Sequence, residues 1–372
     1  VISRAYGKRD KTQLENAVQN AMIISVLGGI ILMAMGYIFS PYYLRIIETP
    51  HNLYNDAMNY LHAYFLSFIP SFIYNIGSGI LRAMGSITLP LFSQIAGCIT
   101  HAIFGSLFVF VFDVKTSGIG YISLISQSVV ALIILWGLRK FTAPCIIHIR
   151  HINLDATIIK RIIRIGVPTG IQSLIISLSN VLAQYQINSL GENAIAAFTA
   201  YFKIEQIIYL PIIALGQAIM IFVSQNMGAG SSDRIKSGIR KSMKLGILTI
   251  SGLSFISLFL SPVLFRFFYN DLCIIDLGLS IASITFPFYV FYLILQILGD
   301  SLRGGGIVHI PTIISIANFC ILRISLLFVL VPRHPSVKTV AITYPITWAA
   351  TACCIAIYFL YKQTIFSEKE TI

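Results

Sequence analysis

Ten stretches of this chain stay apolar for about 20 residues or more, the length of helix that crosses roughly 30 Å of hydrocarbon. A backbone in lipid has no water to bond, so a crossing segment must satisfy its own hydrogen bonds, and these lengths are those of helices. The approximate limits are 17–40, 58–81, 88–112, 118–138, 161–189, 195–227, 238–261, 278–301, 309–331 and 339–361. Hydrophobic residues make up 56% of the 372 and charged residues 11%, against about 25% charged in an ordinary soluble domain. None of the stretches sits at the amino end behind a short basic segment, so none reads as a cleavable leader. The sequence predicts an all-α integral membrane protein.

The chain also repeats itself. At an offset of 221, Ser40-Pro41 falls on Ser261-Pro262, Leu81-Arg82 on Leu302-Arg303, Gly7 on Gly228, Gly85 on Gly306 and Pro90 on Pro311. These are residues that start, stop or bend elements, not interchangeable Leu and Ile. The offset places the partner of residues 161–221 before residue 1, so about 60 residues of a first half are expected to precede this chain. Six spans separate Ser3 from its partner Ser224, an even number, so the two halves enter the membrane in the same sense. Parallel repeats of this kind form the two lobes of many transporters. The expected organisation is a first lobe over 1–140 with four of six helices, a cytoplasmic connector over 141–160, and a second lobe over 161–372 with six.

The net charge is +12, and its distribution explains it. With the segment before the first span placed in the cytoplasm, one set of loops holds 19 of the 26 Lys and Arg and the other holds five. This bias puts both chain ends in the cytoplasm. Nucleic-acid binding is not needed to account for the charge.

Several runs of residues resemble one family. Ile165-Gly166-Val167-Pro168-Thr169-Gly170-Ile171-Gln172, Ile204-Glu205-Gln206 and Val223-Ser224-Gln225-Asn226-Met227-Gly228-Ala229-Gly230 in the second half are similar to the MATE multidrug and toxin extrusion transporters. Ala5-Tyr6-Gly7-Lys8, Glu48-Thr49-Pro50 and Ile80-Leu81-Arg82-Ala83-Met84-Gly85 in the first half resemble the same family. The resemblance implies twelve helices in two six-helix lobes, of which the ten spans here are the third to the twelfth. It implies export of organic cations in exchange for H+ or Na+, with no other cofactor. It further implies a multi-pass protein of the inner membrane whose partners are small organic cations and lipids, and a monomer is expected.

Charges inside a span are costly and mark candidate functional groups. Glu205, Lys203 and Arg323 are the clear cases. Glu205 and Lys203 lie two residues apart and so do not share a helix face. Glu205 is a candidate for binding the coupling cation or a cationic drug, with a structural ion pair or carbonyl contact as the alternative. Arg323 is either a counter-charge to Glu205 or Asp300, or a residue that reaches for the interface. Gln172, Asn180, Gln184, Tyr201, Gln206 and Tyr209 add amides and aromatic faces to the fifth and sixth spans. In the family's pattern these two spans line a central cavity, and such groups suit flat cations. His101 and Gly105 stand where the family usually has an Asn and an Asp, which leaves a first-lobe cation site in doubt while His101 offers a protonatable group. Arg82 and Arg303, at equivalent ends of a repeated span, are expected to cap helices or anchor phosphates.

Enzyme chemistry finds no support. There is no phosphate loop ending in Gly-Lys-Ser/Thr, no His-Glu-x-x-His, and no metal-ligand spacing among the six cysteines. The expected function is secondary active efflux of organic cations by alternating access. A flippase for a lipid-linked saccharide is the first alternative, which would require several Arg and Lys in the cavity. A truncated, non-transporting membrane protein is the second.

Overall fold

In the computed structural model, residues 1–111, 116–141 and 154–362 are described, and within them the chain forms two compact units, Val1–Ile162 and Ile163–Ile372. Unit 1 begins with α1 (Ile2–Lys8) and the long α2 (Lys11–Ile46). Then come α3 (His51–Leu66), α4 (Phe68–Ala83), α5 (Thr88–Ser106) with a π-helical extension over Leu107–Val111, and α6 (Thr116–Phe141). Unit 2 takes all but the first turns of α7 (Ala156–Asn188), followed by α8 (Glu192–Gly228) and α9 (Ser232–Phe268). Next, α10 (Leu272–Thr285) is joined to α11 (Tyr289–Gly304) by one 3₁₀ turn, Phe286–Phe288. A π-helical stretch, Ala317–Leu322, joins α12 (His309–Ile316) to α13 (Arg323–Leu330), and α14 (Val337–Tyr361) follows.

Among the described residues, nine helices are long and apolar enough to cross a membrane. The expected tenth span falls on the helix over 88–111, which is not among these nine. The helices are longer than the apolar stretches because their ends continue in polar residues, as where Asp10 caps α2 by accepting from the Gln13 amide, 3.0 Å. Part of the expected connector is also helical. Asp155 accepts from the amides of Thr157 (2.8 Å) and Ile158 (3.2 Å), which starts α7 at Ala156; positions 142–153 lie outside the described residues.

The 221-residue repeat is visible in the backbone. Shifted by that offset, α2 falls on α9, the α3–α4 pair on α10–α11 with a break at the same place, α5 on α12–α13, and α6 on α14. The turn chemistry repeats too. Gly85 (φ 90°) and Gly306 (φ 97°) end α4 and α11 in the left-handed region. The next amides fold back alike, Ser86 to the Leu81 carbonyl and Ile307 to the Leu302 carbonyl, each 2.9 Å. Pro41 and Pro262 both sit inside their helices, α2 and α9. Each unit therefore packs its helices on a scaffold set by the same punctuation.

The core of unit 2 is centred on α8 and α11. Ile204, Ile208 and Ile212 are spaced by four along α8, so they form one buried column, and α8 packs on α9, α10 and α11 while α11 also packs on α14.

Candidate functional site

Unit 2 holds a cavity of about 430 Å³, within the range of pockets that take drug-sized molecules. Helix α7 contributes Asn180 and Gln184, one turn apart and on one face with Ile176, Ala183 and Ile187. Helix α8 contributes Glu205 and, four residues on, Tyr209, with Phe202 and Gln206 flanking them. The 3₁₀ break before α11 delivers Tyr289 and Tyr292 to the wall; the π stretch and α13 deliver Phe319 and Arg323; α14 delivers Tyr344 and Trp348.

The π segment shapes one wall. A π turn frees carbonyls from the regular ladder, and two side-chain bonds tie this one to α7, one in each direction. Ser179 Oγ donates to the Phe319 carbonyl at 2.7 Å, and Cys320 Sγ to the Ile175 carbonyl at 3.6 Å. Phe319 and Arg323, four residues apart, then point to the same side. Arg323 is buried, at 4% exposure. Its guanidinium lies 5.0 Å from the Phe319 ring centre and 4.6 Å from that of Tyr344, contacts worth about 2 kcal/mol or more when desolvated. Nη2 donates to Thr347 Oγ1 at 3.2 Å, while Nε is buried with no hydrogen-bond partner.

Glu205 is half-buried. Tyr289 stands with it on the cavity wall, and the Tyr289 hydroxyl shares a 3.2 Å hydrogen bond with the hydroxyl of Tyr201, which fixes the orientation of both rings. No Lys or Arg comes within ion-pair distance of Glu205 among the described residues. The cavity therefore holds one acid and one base that do not neutralise each other by contact. Around them the aromatic rings touch in series: Tyr289 lies 4.6 Å and Tyr292 5.6 Å from Trp348, and Tyr209 lies 5.6 Å from Tyr292.

Of the residues singled out in the sequence, Asn180, Gln184, Glu205, Gln206, Tyr209 and Arg323 converge here. Tyr201 stands behind the wall. Lys203 does not belong: it is exposed on another face of α8, and its ammonium lies 5.4 Å from the Phe268 ring. His101 is in unit 1, exposed on α5, with Nδ1 3.4 Å from Ser126 Oγ of α6. Tyr289, Tyr292, Phe319, Tyr344 and Trp348 went unnoticed because aromatic residues in an apolar span look like packing; the i,i+4 pair Tyr344/Trp348 was the available signal.

Gln172 serves a second polar cluster. Arg303 Nη1 donates to Asp300 Oδ1 at 2.7 Å and Nη2 to Gln172 Oε1 at 2.9 Å; Gln296 Nε2 donates to Asp300 Oδ2 at 2.7 Å, and Thr312 Oγ1 to Gln172 Oε1 at 3.1 Å. Arg303 is thus the cation of an ion pair within α11, and it meets α12 at a shared acceptor, Gln172 of α7. Asp300 is only 4% exposed, and α8 passes it at Gly216, where a Cβ would run into Asp300 Oδ2.

Long apolar helices in two repeated units, with an acid and a base in an aromatic cavity of unit 2, are the architecture expected of a membrane transporter. The MatE family model matches residues 1–107 and 168–329, and the chain belongs to that family, whose members are transporters and not enzymes. It is 27% identical over 381 residues to "Probable multidrug resistance protein YoeA" of Bacillus subtilis (strain 168), covering 100% of this chain and 81% of that protein. To "Probable multidrug resistance protein YpnP" of the same organism it is 23% identical, covering 99% of this chain and 83% of the relative. A solved structure described as an outward-facing conformation of a multidrug resistance MATE family transporter superposes with a TM-score of 0.91 at 18% identity, over 98% of this chain and 82% of its own; it shows the fold.

Proposed function

We propose that this chain works as a secondary active exporter of small organic cations, in antiport with H+ or Na+, by alternating access of two lobes. One observation carries the reading: Glu205 faces a drug-sized cavity in unit 2 among aromatic rings and amides, without a cationic side chain on it. The multidrug resistance names of the two Bacillus relatives support the same substrate class. Glu205 and the ring faces attract a flat cation. A proton or Na+ reaching Glu205 removes that attraction, and the ion gradient then drives net export. No cofactor takes part.

The lobes run over 1–140 and 161–372, joined by the connector at 141–160, with lipid around a monomer. The loop charges favour an inner-membrane protein with both chain ends in the cytoplasm. In this scheme Asn180, Gln184 and Gln206 supply adaptable hydrogen bonds, and Tyr201 acts through Tyr289. Gln172 acts through Arg303, Lys203 has no part in binding, and His101 joins α5 to α6. The flippase reading is disfavoured because Arg323 is the one cationic residue lining the cavity, too few to hold a pyrophosphate.

Glu205→Gln tests the proposal. In membrane vesicles carrying the full protein, ion-gradient-driven export of a fluorescent cation is expected to fall by about tenfold or more, the scale of a lost charge contact. Unchanged export at unchanged protein level removes Glu205 from the mechanism.

A further inference from the structure

Arg323 poses a problem that export of plain cations does not solve. A cavity meant for cations gains nothing from a guanidinium in its wall, which repels the ligand. Burying a guanidinium is costly without compensation. Here the compensation within the protein is partial. Of five N–H donors, one meets Thr347 Oγ1, and the flat faces of the group lie against Phe319 and Tyr344. The ring contacts leave the guanidinium edge unsatisfied, and Nε is buried without a partner. Glu205 lines the same cavity and leaves Arg323 free of an ion pair. The two charges are thus separate, Arg323 held by rings and a threonine, Glu205 carried on α8.

We infer that the cavity selects flat aromatic zwitterions, whose cationic ring system or amine faces Glu205 and whose carboxylate or comparable anionic group meets the free edge of Arg323. This rests on the cavity reading given above and narrows its substrate class. A ligand with the positive charge alone meets Glu205 but leaves Arg323 unpaired and is opposed by it. A ligand with only the negative charge has the converse fault. A zwitterion satisfies both, and its rings pack against Tyr292, Tyr344 and Trp348. A charge-assisted hydrogen bond to a carboxylate is the strongest contact an arginine edge makes, and Arg reads such a group in two-point fashion.

A matched pair of dyes tests this directly. Rhodamine 110 carries a cationic ring system and a free carboxylate; rhodamine 123 is its methyl ester and keeps the cation alone. Binding of each to the purified full protein in lipid nanodiscs is followed by fluorescence polarisation. The expected result is that rhodamine 110 binds about tenfold more tightly than rhodamine 123, one charge-assisted contact. Arg323→Gln abolishes that preference by weakening the zwitterion alone, Arg323→Lys restores part of it, and Glu205→Gln weakens both dyes. The comparison in the unmutated protein needs no variant to fold. Equal binding of the two dyes, or tighter binding of the ester, overturns the zwitterion inference while leaving the cation site in place if Glu205→Gln still weakens rhodamine 123. Equal weakening of both dyes by Arg323→Gln also overturns it, since that is the mark of a structural role. Binding of neither dye overturns the inference and the cavity reading together.

Discussion

The two units fold one backbone around different chemistry. At the repeat positions of Tyr289, Tyr292, Phe319, Arg323, Tyr344 and Trp348, unit 1 has Phe68, Ser71, Cys98, Ala102, Ser123 and Gln127. From α2 and α9 onward the order of helices recurs, yet of the aromatic and charged wall only one ring has a counterpart, Phe68. The ion-pair cluster differs in the same way. Arg82 and Arg303 occupy one position, but Arg82 Nη2 donates to Ser78 Oγ at 3.1 Å, and Gly79 stands where unit 2 has Asp300. Backbone geometry is set by a few glycines, prolines and caps, and the faces between them are free to diverge. In membrane helices this freedom is wide, because lipid is as apolar as leucine and burial itself does little to choose which face turns inward.

The sharpest way to break the comparison is to remove Asp300. Asp300→Ala strands the Arg303 guanidinium in a site built for an ion pair, and losing one partner of a buried pair costs about 3 kcal/mol. Thermal unfolding of the purified protein is expected to show a large drop in midpoint, and the double variant Asp300→Ala/Arg303→Ala a smaller one than the two single losses combined. Arg82→Ala in unit 1 removes a contact to a neutral hydroxyl and is expected to cost about 1 kcal/mol. Equal losses at Arg82 and Arg303 mean that the repeated arginines do one structural job and that Asp300 adds nothing.

Gly216 sharpens the same contrast. Its missing Cβ makes room for Asp300 Oδ2 and for Gln296 Cγ, which lies 2.8 Å from where that Cβ would stand. The ion pair holds the carboxylate in place, so it cannot swing aside. Gly216→Ala is expected to destabilise by about 1–2 kcal/mol through overpacking. In the Asp300→Ala background the same change is expected to cost less, because one of the two side chains it strikes is gone and Gln296 is released from the carboxylate that holds it. An undiminished cost there assigns the glycine to helix packing alone.

Where the units are alike, matched substitutions are expected to match. Gly85→Ala and Gly306→Ala each force a Cβ into a left-handed turn that has open space around it, so the cost is conformational, roughly 1–2 kcal/mol in both. Unequal midpoint shifts separate the two turns that the offset aligns.

The fold was legible in the sequence because its signals are long or sharply punctuated. Ten apolar stretches set the helices, and the offset of Gly85 and Gly306 or Pro41 and Pro262 displayed the repeat before any packing was known. The site was legible only in its charges. Glu205 and Arg323 stand out because a charge in an apolar span is rare, whereas Tyr289, Tyr344 and Trp348 are typical of such spans and reveal themselves only when the 3₁₀ break and the π stretch turn them to one cavity. Lys203 misled for the same reason that Glu205 informed: hydropathy places a residue along a helix but not around it, and Lys203 is on another face. Asp300 and Arg303 are an i,i+3 pair visible in the sequence of α11, but their tie to Gln172 on α7 left no local trace.

The smallest effect is expected at the turn that joins α1 to α2 and, in the repeat, α8 to α9. Arg9 (φ 59°) and Gly230 (φ 67°) occupy equivalent left-handed positions, and the following amides bond alike, Asp10 to the Ala5 carbonyl and Ser231 to the Asn226 carbonyl. Arg9→Gly relieves a left-handed strain of roughly 1–2 kcal/mol, but glycine loses more chain entropy on ordering, about 0.5–1 kcal/mol. The net gain is therefore expected to be below about 1 kcal/mol, against a loss of about 1 kcal/mol for Gly230→Ala. Opposite signs for these two changes show that one backbone conformation is being read through two residue types. Two changes of the same sign instead mean that Arg9 contributes a contact that outweighs its strain, and that the equivalence of the turns ends at the backbone.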